Sequence, residues 1–208
     1  QAVLADAGLA PEAVGEVIVA NALGAGGNPA RRVALAAGLP ERVAGLTIDR
    51  QCAGGLDALL LARALVDSGA AEVVVAGGVE SYSQRPLRAM RGADGQPVPY
   101  DQAPFTPWPN RDPEMTAAAA ALADRLGISA AAQADWAVRS HARAQAMADW
   151  PEIVPLAGVT RDAFARRLTP PVAMRAKGLV GSVTAAGIVR VVFGGVDKLE
   201  SMTFQSAN

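Results

Sequence analysis

The run Ala71-Glu72-Val73-Val74-Val75-Ala76, ending on Gly77-Gly78, limits the fold more than any other stretch. Its consecutive valines offer apolar side chains to both faces of a sheet, as a strand covered on both sides requires. It follows Leu56 to Leu65, a segment of Ala and Leu that reads as a helix. Val14 to Ala20 reads as another strand. Asn28 to Ala37 reads as another helix, with Asn28 as cap, Pro29 at the first helical position and Gly38 as the stop. Strands alternating with helices predict an α/β fold.

Between the Val43–Ile48 segment and the Leu56–Leu65 helix lies Asp49-Arg50-Gln51-Cys52-Ala53-Gly54-Gly55-Leu56-Asp57, which holds the only cysteine of the chain. Polar residues precede it and two glycines follow. A turn into a helix presents free N–H groups and the positive end of the helix dipole, which favour a thiolate. Gly54 and Gly55 allow a backbone or a ligand to come close. Cys52 is therefore a candidate covalent nucleophile. A small buried apolar residue is the ordinary alternative. Glu80 falls just past the carboxyl end of the valine strand, where α/β sheets put ligand sites. It is read as orienting a loop, as acid–base chemistry, or as a structural hydrogen-bonded carboxylate. The glycine-rich segment Asn21–Asn28 matches neither nucleotide-loop pattern and reads as a plain loop.

Charge and composition exclude several classes. Basic and acidic residues balance at 19 and 20, with no basic stripe, so no nucleic-acid partner is expected. One cysteine and one histidine leave no disulfide framework and no metal site to expect. No apolar run reaches membrane-spanning length and no secretory leader is visible, so a cytoplasmic location is the expectation.

Arg85 to Pro113 carries Pro86, Pro97, Pro99, Pro104, Pro107, Pro109 and Pro113 and reads as an irregular excursion, a lid or cap. Met115–Leu126 reads as a helix stopped by Gly127. A second helix, capped by Ser129, runs to about Ala148. His141 on it reads as structural or at an interface. Arg139 reads as a contact for an acidic ligand or as an ordinary surface residue. Pro151–Leu156 reads as an edge strand, Thr169-Pro170-Pro171 as a break, Ser182–Ala186 and Ile188–Phe193 as strand or turn, and Gly194–Asn208 as a loosely packed tail or the remains of a longer fold.

Taken in order, these segments resemble the amino-terminal half of the thiolase family, the acetyl-CoA acetyltransferases and 3-ketoacyl-CoA thiolases. Asn28-Pro29-Ala30-Arg31 resembles its first helical turn after a glycine-rich loop. Asp49 to Leu56 resembles the block around its acylated cysteine, with Gly54 for the usual serine and Asp49 for the usual asparagine. Val74 to Ser83 resembles its Ala-Gly-Gly-x-Glu-x-Met-Ser block, with Tyr82 where methionine is common. Glu114-Met115-Thr116-Ala117-Ala118, Gln133-Ala134-Asp135 and Ser140-His141 resemble its loop-domain helices. Gly181–Ala186 resembles its Gly-x-Val-Thr-Ala block.

The resemblance implies a mixed sheet with helices on both faces and a loop domain. The expected divisions are a core at 1–84, a shortened cap at 85–157 and a return to the core with a divergent tail at 158–208. It implies an acyltransferase of lipid metabolism in which Cys52 takes an acyl group from acyl-CoA as a thioester. Transfer of acetyl or thiolytic cleavage of a 3-ketoacyl-CoA then follows. Glu80, Gly54 and Gly55 would support the cysteine, and Met115, Arg139 and Ser140 would lie toward coenzyme A. Coenzyme A or acyl-CoA is then a substrate, with no permanently bound cofactor. A homodimer, a homotetramer or a chain supplying the other half is implied. In the family that half carries a Gly-His-Pro histidine and a second cysteine in a Cys-x-Gly-Gly block, and these 208 residues contain no Gly-His-Pro and no cysteine besides Cys52. The first expectation is a piece of a thiolase-like acyltransferase. The second is a degenerate form that binds acyl-CoA or a partner without full catalysis, and the third a structural α/β protein.

Overall fold

The computed structural model describes residues 1–146, 153–155, 158–160 and 165–175, together with the backbone of two later strands. The expected block Gly181–Ala186 and the end of the helix at Ala148 lie outside the described residues. The chain forms two compact units.

The first unit takes residues 1–86, 151–160 and 186–208. It holds helix α1 (Ala2–Asp6), strand β1 (Glu16–Ala20), helix α2 (Pro29–Ala36), strand β2 (Ala44–Ile48), helix α3 (Gly54–Asp67), and strands β3 (Val74–Gly78), β6 (Ile188–Phe193) and β7 (Leu199–Gln205). The five strands form one mixed sheet in the order β2-β1-β3-β6-β7. β1, β2 and β3 run parallel, β6 runs antiparallel to β3, and β7 runs antiparallel to β6. β1 shows why helices cover both faces. Val17 and Val19 pack with Ala30 and Ala34 of α2, and Ile18 packs on the other side with Ala58 and Ala62 of α3. This is the two-sided burial that the apolar runs call for.

Asn28 caps α2 by accepting from the Arg31 N–H at 3.1 Å, and its Nδ2 donates to the Gly45 carbonyl at 2.7 Å. Arg31 donates to the Val43 carbonyl. The cap and first turn of α2 thus satisfy carbonyls in β2 and just before it.

Three expectations for this unit need correction. The valine strand begins at Val74 and runs through Gly77-Gly78, because its ladder with β1 starts opposite Glu16. The tail is not loosely packed throughout: 199–205 pair antiparallel with β6 despite lacking an apolar period. Backbone pairing needs no such period. Ile153–Pro155, the described part of the expected edge strand, is not a strand; proline leaves no N–H to give a ladder.

The second unit takes residues 87–150 and 161–185. It holds the hairpin β4 (Ala89–Arg91) with β5 (Pro97–Pro99), and helices α4 (Met115–Arg125), α5 (Ala130–Ala146) and α6 (Pro170–Ala173). Pro170 starts α6 rather than breaking the chain, since a first-turn proline gives up no helical hydrogen bond. Glu114 caps α4 through the Thr116 and Ala117 N–H groups and the Thr116 hydroxyl. These bonds, the hydroxyl first, hold its carboxyl below the usual range. His141 is buried, and its Nδ1 accepts the Arg166 N–H at 3.4 Å, tying the 165–175 segment to α5.

Candidate active site

The parallel register aligns Ala20, Ile48 and Gly78, so the chain leaves β1, β2 and β3 at one carboxyl edge. Everything the sequence marks in the first unit follows from that edge.

Past β2, Asp49 Oδ1 accepts the Gln51 N–H at 2.8 Å. Gln51 has φ 50°, the left-handed region that a residue with a Cβ enters at a cost of about 1 kcal/mol. The Ala53 N–H closes the turn on the Arg50 carbonyl at 3.1 Å. Residues Gln51–Ala53 make one 3-10 turn, and α3 begins at the next residue. Cys52 is exposed on that turn, at the amino end of a 14-residue helix. Among the described residues its Sγ has no hydrogen-bond partner. Arg50 pairs with Asp57 at 2.9 Å, linking the turn to the first turn of α3.

Gly54 is buried beneath this turn. A Cβ added there would stand 2.8 Å from the Ala20 Cβ, so α3 sits directly on the last residue of β1. Gly55 has open space where a Cβ would be. The two glycines that look alike in the sequence thus have different surroundings.

Past β3, the half-buried Glu80 spreads both oxygens over the loop that leaves β1. Oε1 accepts from Asn21 Nδ2 at 2.8 Å, and Oε2 accepts the N–H groups of Ala22 at 2.9 Å and Leu23 at 3.1 Å. Nothing local in the sequence sets Asn21 apart from the glycine-rich segment it opens. The available signal was an asparagine directly after one parallel strand and a glutamate directly after its neighbour.

Met115, Arg139 and Ser140 belong to the second unit. Met115 is exposed at the first position of α4. The Arg139 guanidinium lies over the Trp136 ring, 4.9 Å from its centroid, and Ser140 is half-buried on α5. Among the described residues no cluster of His, Cys, Asp or Glu could hold a metal ion, and no helix is long and apolar enough to cross a membrane.

The sequence profile described as "Thiolase, N-terminal domain" matches residues 1–177. The chain belongs to the thiolase family. This thiolase-family chain is 44% identical over 132 residues to YhfS of Bacillus subtilis, which carries a provisional acetyl-CoA C-acetyltransferase name. That match takes in 64% of this chain and 33% of YhfS. VraB of Staphylococcus epidermidis, similarly named, is 42% identical over 130 residues, 61% of this chain and 34% of its own. The matched segment spans about a third of the length of these curated relatives. Among solved structures, the Bacillus anthracis acetyl-CoA acetyltransferase superposes with a TM-score of 0.69 at 31% identity, over 82% of this chain and 48% of that one. The Acat5 thiolase of Ascaris suum, solved with coenzyme A, gives 0.73 at 23% identity over 92% and 55%, a likeness of fold.

Proposed function

We propose that this chain is the nucleophile-bearing half of a thiolase-type acyl-CoA acyltransferase. One observation carries the reading: an exposed cysteine on a tight turn at the amino end of α3, at the carboxyl edge of the parallel strands, within the residues matched to the family. The Cys52 sulfur attacks the thioester carbonyl of an acyl-CoA, the carbonyl–sulfur bond to coenzyme A breaks, and the acyl group rests on Cys52 while coenzyme A leaves as the thiol. A carbanion or a second thiol then takes the acyl group and releases Cys52. Those later steps need proton transfer. A second α/β unit is proposed to supply it, because the only histidine lies on α5 and no second cysteine is available. Met115, Arg139 and Ser140 are proposed contacts for coenzyme A. A reducing cytoplasm would keep the single thiol ready.

The test is incubation with acetyl-CoA followed by mass spectrometry. The expected result is one acetyl adduct on Cys52, absent from Cys52→Ala. No adduct and no coenzyme A binding would refute the proposal.

A second reading, a chain that binds acyl-CoA or a partner without turning over, draws on the exposed Leu56 and Leu60. They stand four and eight residues after Cys52, on one face of α3, at 60% and 56% exposure. Steady thiolysis of acetoacetyl-CoA by the 208 residues alone would refute it.

A further inference from the structure

Asn21 belongs to no motif described above, yet it touches the ends of all three parallel strands. It follows the last residue of β1. Its own N–H donates to the Ile48 carbonyl at the end of β2, at 3.0 Å. Its side-chain Nδ2 donates to the Val79 carbonyl beyond β3 at 2.9 Å and to Glu80 Oε1 at 2.8 Å. Glu80 completes the arrangement by taking the Ala22 and Leu23 N–H groups on Oε2. A group that exchanges protons with a substrate needs an oxygen aimed at it. Both oxygens of Glu80 already receive N–H donors from the β1 loop.

We propose that Asn21 and Glu80 form a positioning pair that sets where Cys52 stands, an inference that rests on reading Cys52 as the nucleophile. The linkage is short at both ends of the cysteine turn. On one side Ile48, held by the Asn21 N–H, lies four residues before Cys52. The path between is stiffened by the Asp49–Gln51 bond and the left-handed Gln51. On the other side Gly54, two residues after Cys52, rests on Ala20, the neighbour of Asn21. The Val79 N–H, next to Glu80, donates to the Ala20 carbonyl at 2.9 Å. Displacing the β1 exit therefore displaces both supports of the turn.

Because Cys52 is the only cysteine, its alkylation by iodoacetamide reports on this turn without any acyl-CoA. The full chain is compared with Asn21→Ala, Glu80→Ala, the double variant and Glu80→Gln at one neutral pH, by mass spectrometry over time. Each alanine variant is expected to slow alkylation by about fivefold: Asn21→Ala removes two side-chain hydrogen bonds and Glu80→Ala three, each of modest net worth. The double variant should be within about twofold of the slower single one, because the residues act as a unit. Glu80→Gln should fall between the parent and Glu80→Ala, at least about twofold faster than the latter: its carbonyl oxygen still accepts Ala22 and Leu23, while its amide meets Asn21 only after a flip that gives up the Asn21–Val79 bond. Unchanged rates, a fully additive double variant, or Glu80→Gln as slow as Glu80→Ala would overturn the proposal, the last by making Glu80 a proton acceptor. Leu4→Ala opens the core on the sheet face opposite α3. An equal slowing there would show general loosening and also overturn it. Should the double variant not fold, the comparison of Gln with Ala at Glu80 decides alone. The acetyl-adduct experiment is separate, so failure of the acyl-transfer reading and failure of the pair are told apart.

Discussion

Gly54→Ala should destabilise the first unit, although alanine is the better helix former. Gly54 has φ −56° and ψ −41°, ordinary helical values, so its conformation does not require glycine. Space does, since an added Cβ would be 2.8 Å from the Ala20 Cβ. Relaxing that contact toward the roughly 3.5–4 Å of unstrained carbon pairs moves either the start of α3 or the end of β1 by about 1 Å. The helical gain is about 1 kcal/mol, and overpacking a tight site costs about 1–3 kcal/mol. We expect a net loss of about 1 kcal/mol. Gly55→Ala meets nothing within 4 Å and should stabilise by about 0.5–1 kcal/mol. Ala20→Gly removes the atom that collides, so the pair Ala20→Gly with Gly54→Ala should show a favourable coupling of about 1 kcal/mol or more. The same partner change should be needed for Gly54→Ser, the residue usual in the family. Urea unfolding of these variants, with unchanged m-values, gives the numbers. Gly54→Ala as stable as the parent, or a zero coupling with Ala20→Gly, would refute the packing argument.

Two further expectations concern the second unit and the open face of α3. Glu114 has its carboxyl lowered by the Thr116 hydroxyl and then by the Ala117 and Thr116 N–H groups. A lowered folded-state value stabilises above the ordinary glutamate range and loses that contribution as pH falls through the lowered value. Glu114→Gln should thus lower helicity, read by circular dichroism, at neutral pH, and the difference from the parent should vanish in acid; a pH-independent difference would contradict the cap's charge. Leu56→Ser with Leu60→Ser should reduce self-association in sedimentation experiments, because it removes an exposed apolar stripe beside Cys52. A parent chain that stays monomeric at high concentration would refute that.

Several elements were legible because one local cause sufficed. Asn28-Pro29 marks the start of α2, and the observed cap is the one its chemistry predicts. Cys52 ahead of Gly54-Gly55 and an Ala-Leu run announces a turn into a helix, and the structure places it there. The limits of β3 were less legible, since Gly77 and Gly78 are poor strand residues in isolation and enter the ladder by pairing with β1. β7 is not legible for the same reason: its partner β6 defines it.

The amino-acid order alone determines the alternation of apolar runs and caps, and hence an α/β chain with its single thiol at the start of a helix. These depend on contacts within a few residues, which a sequence displays. Tertiary structure decides that Ala20, Ile48 and Gly78 end side by side, that Gly54 lacks room for a Cβ while Gly55 has it, and that Asn21 meets Glu80. Asn21 lies 58 and 59 residues before Val79 and Glu80, and Gly54 meets Ala20 from a different element of the fold. Parallel pairing brings them together only after the helices between the strands have packed, so no local pattern can announce them.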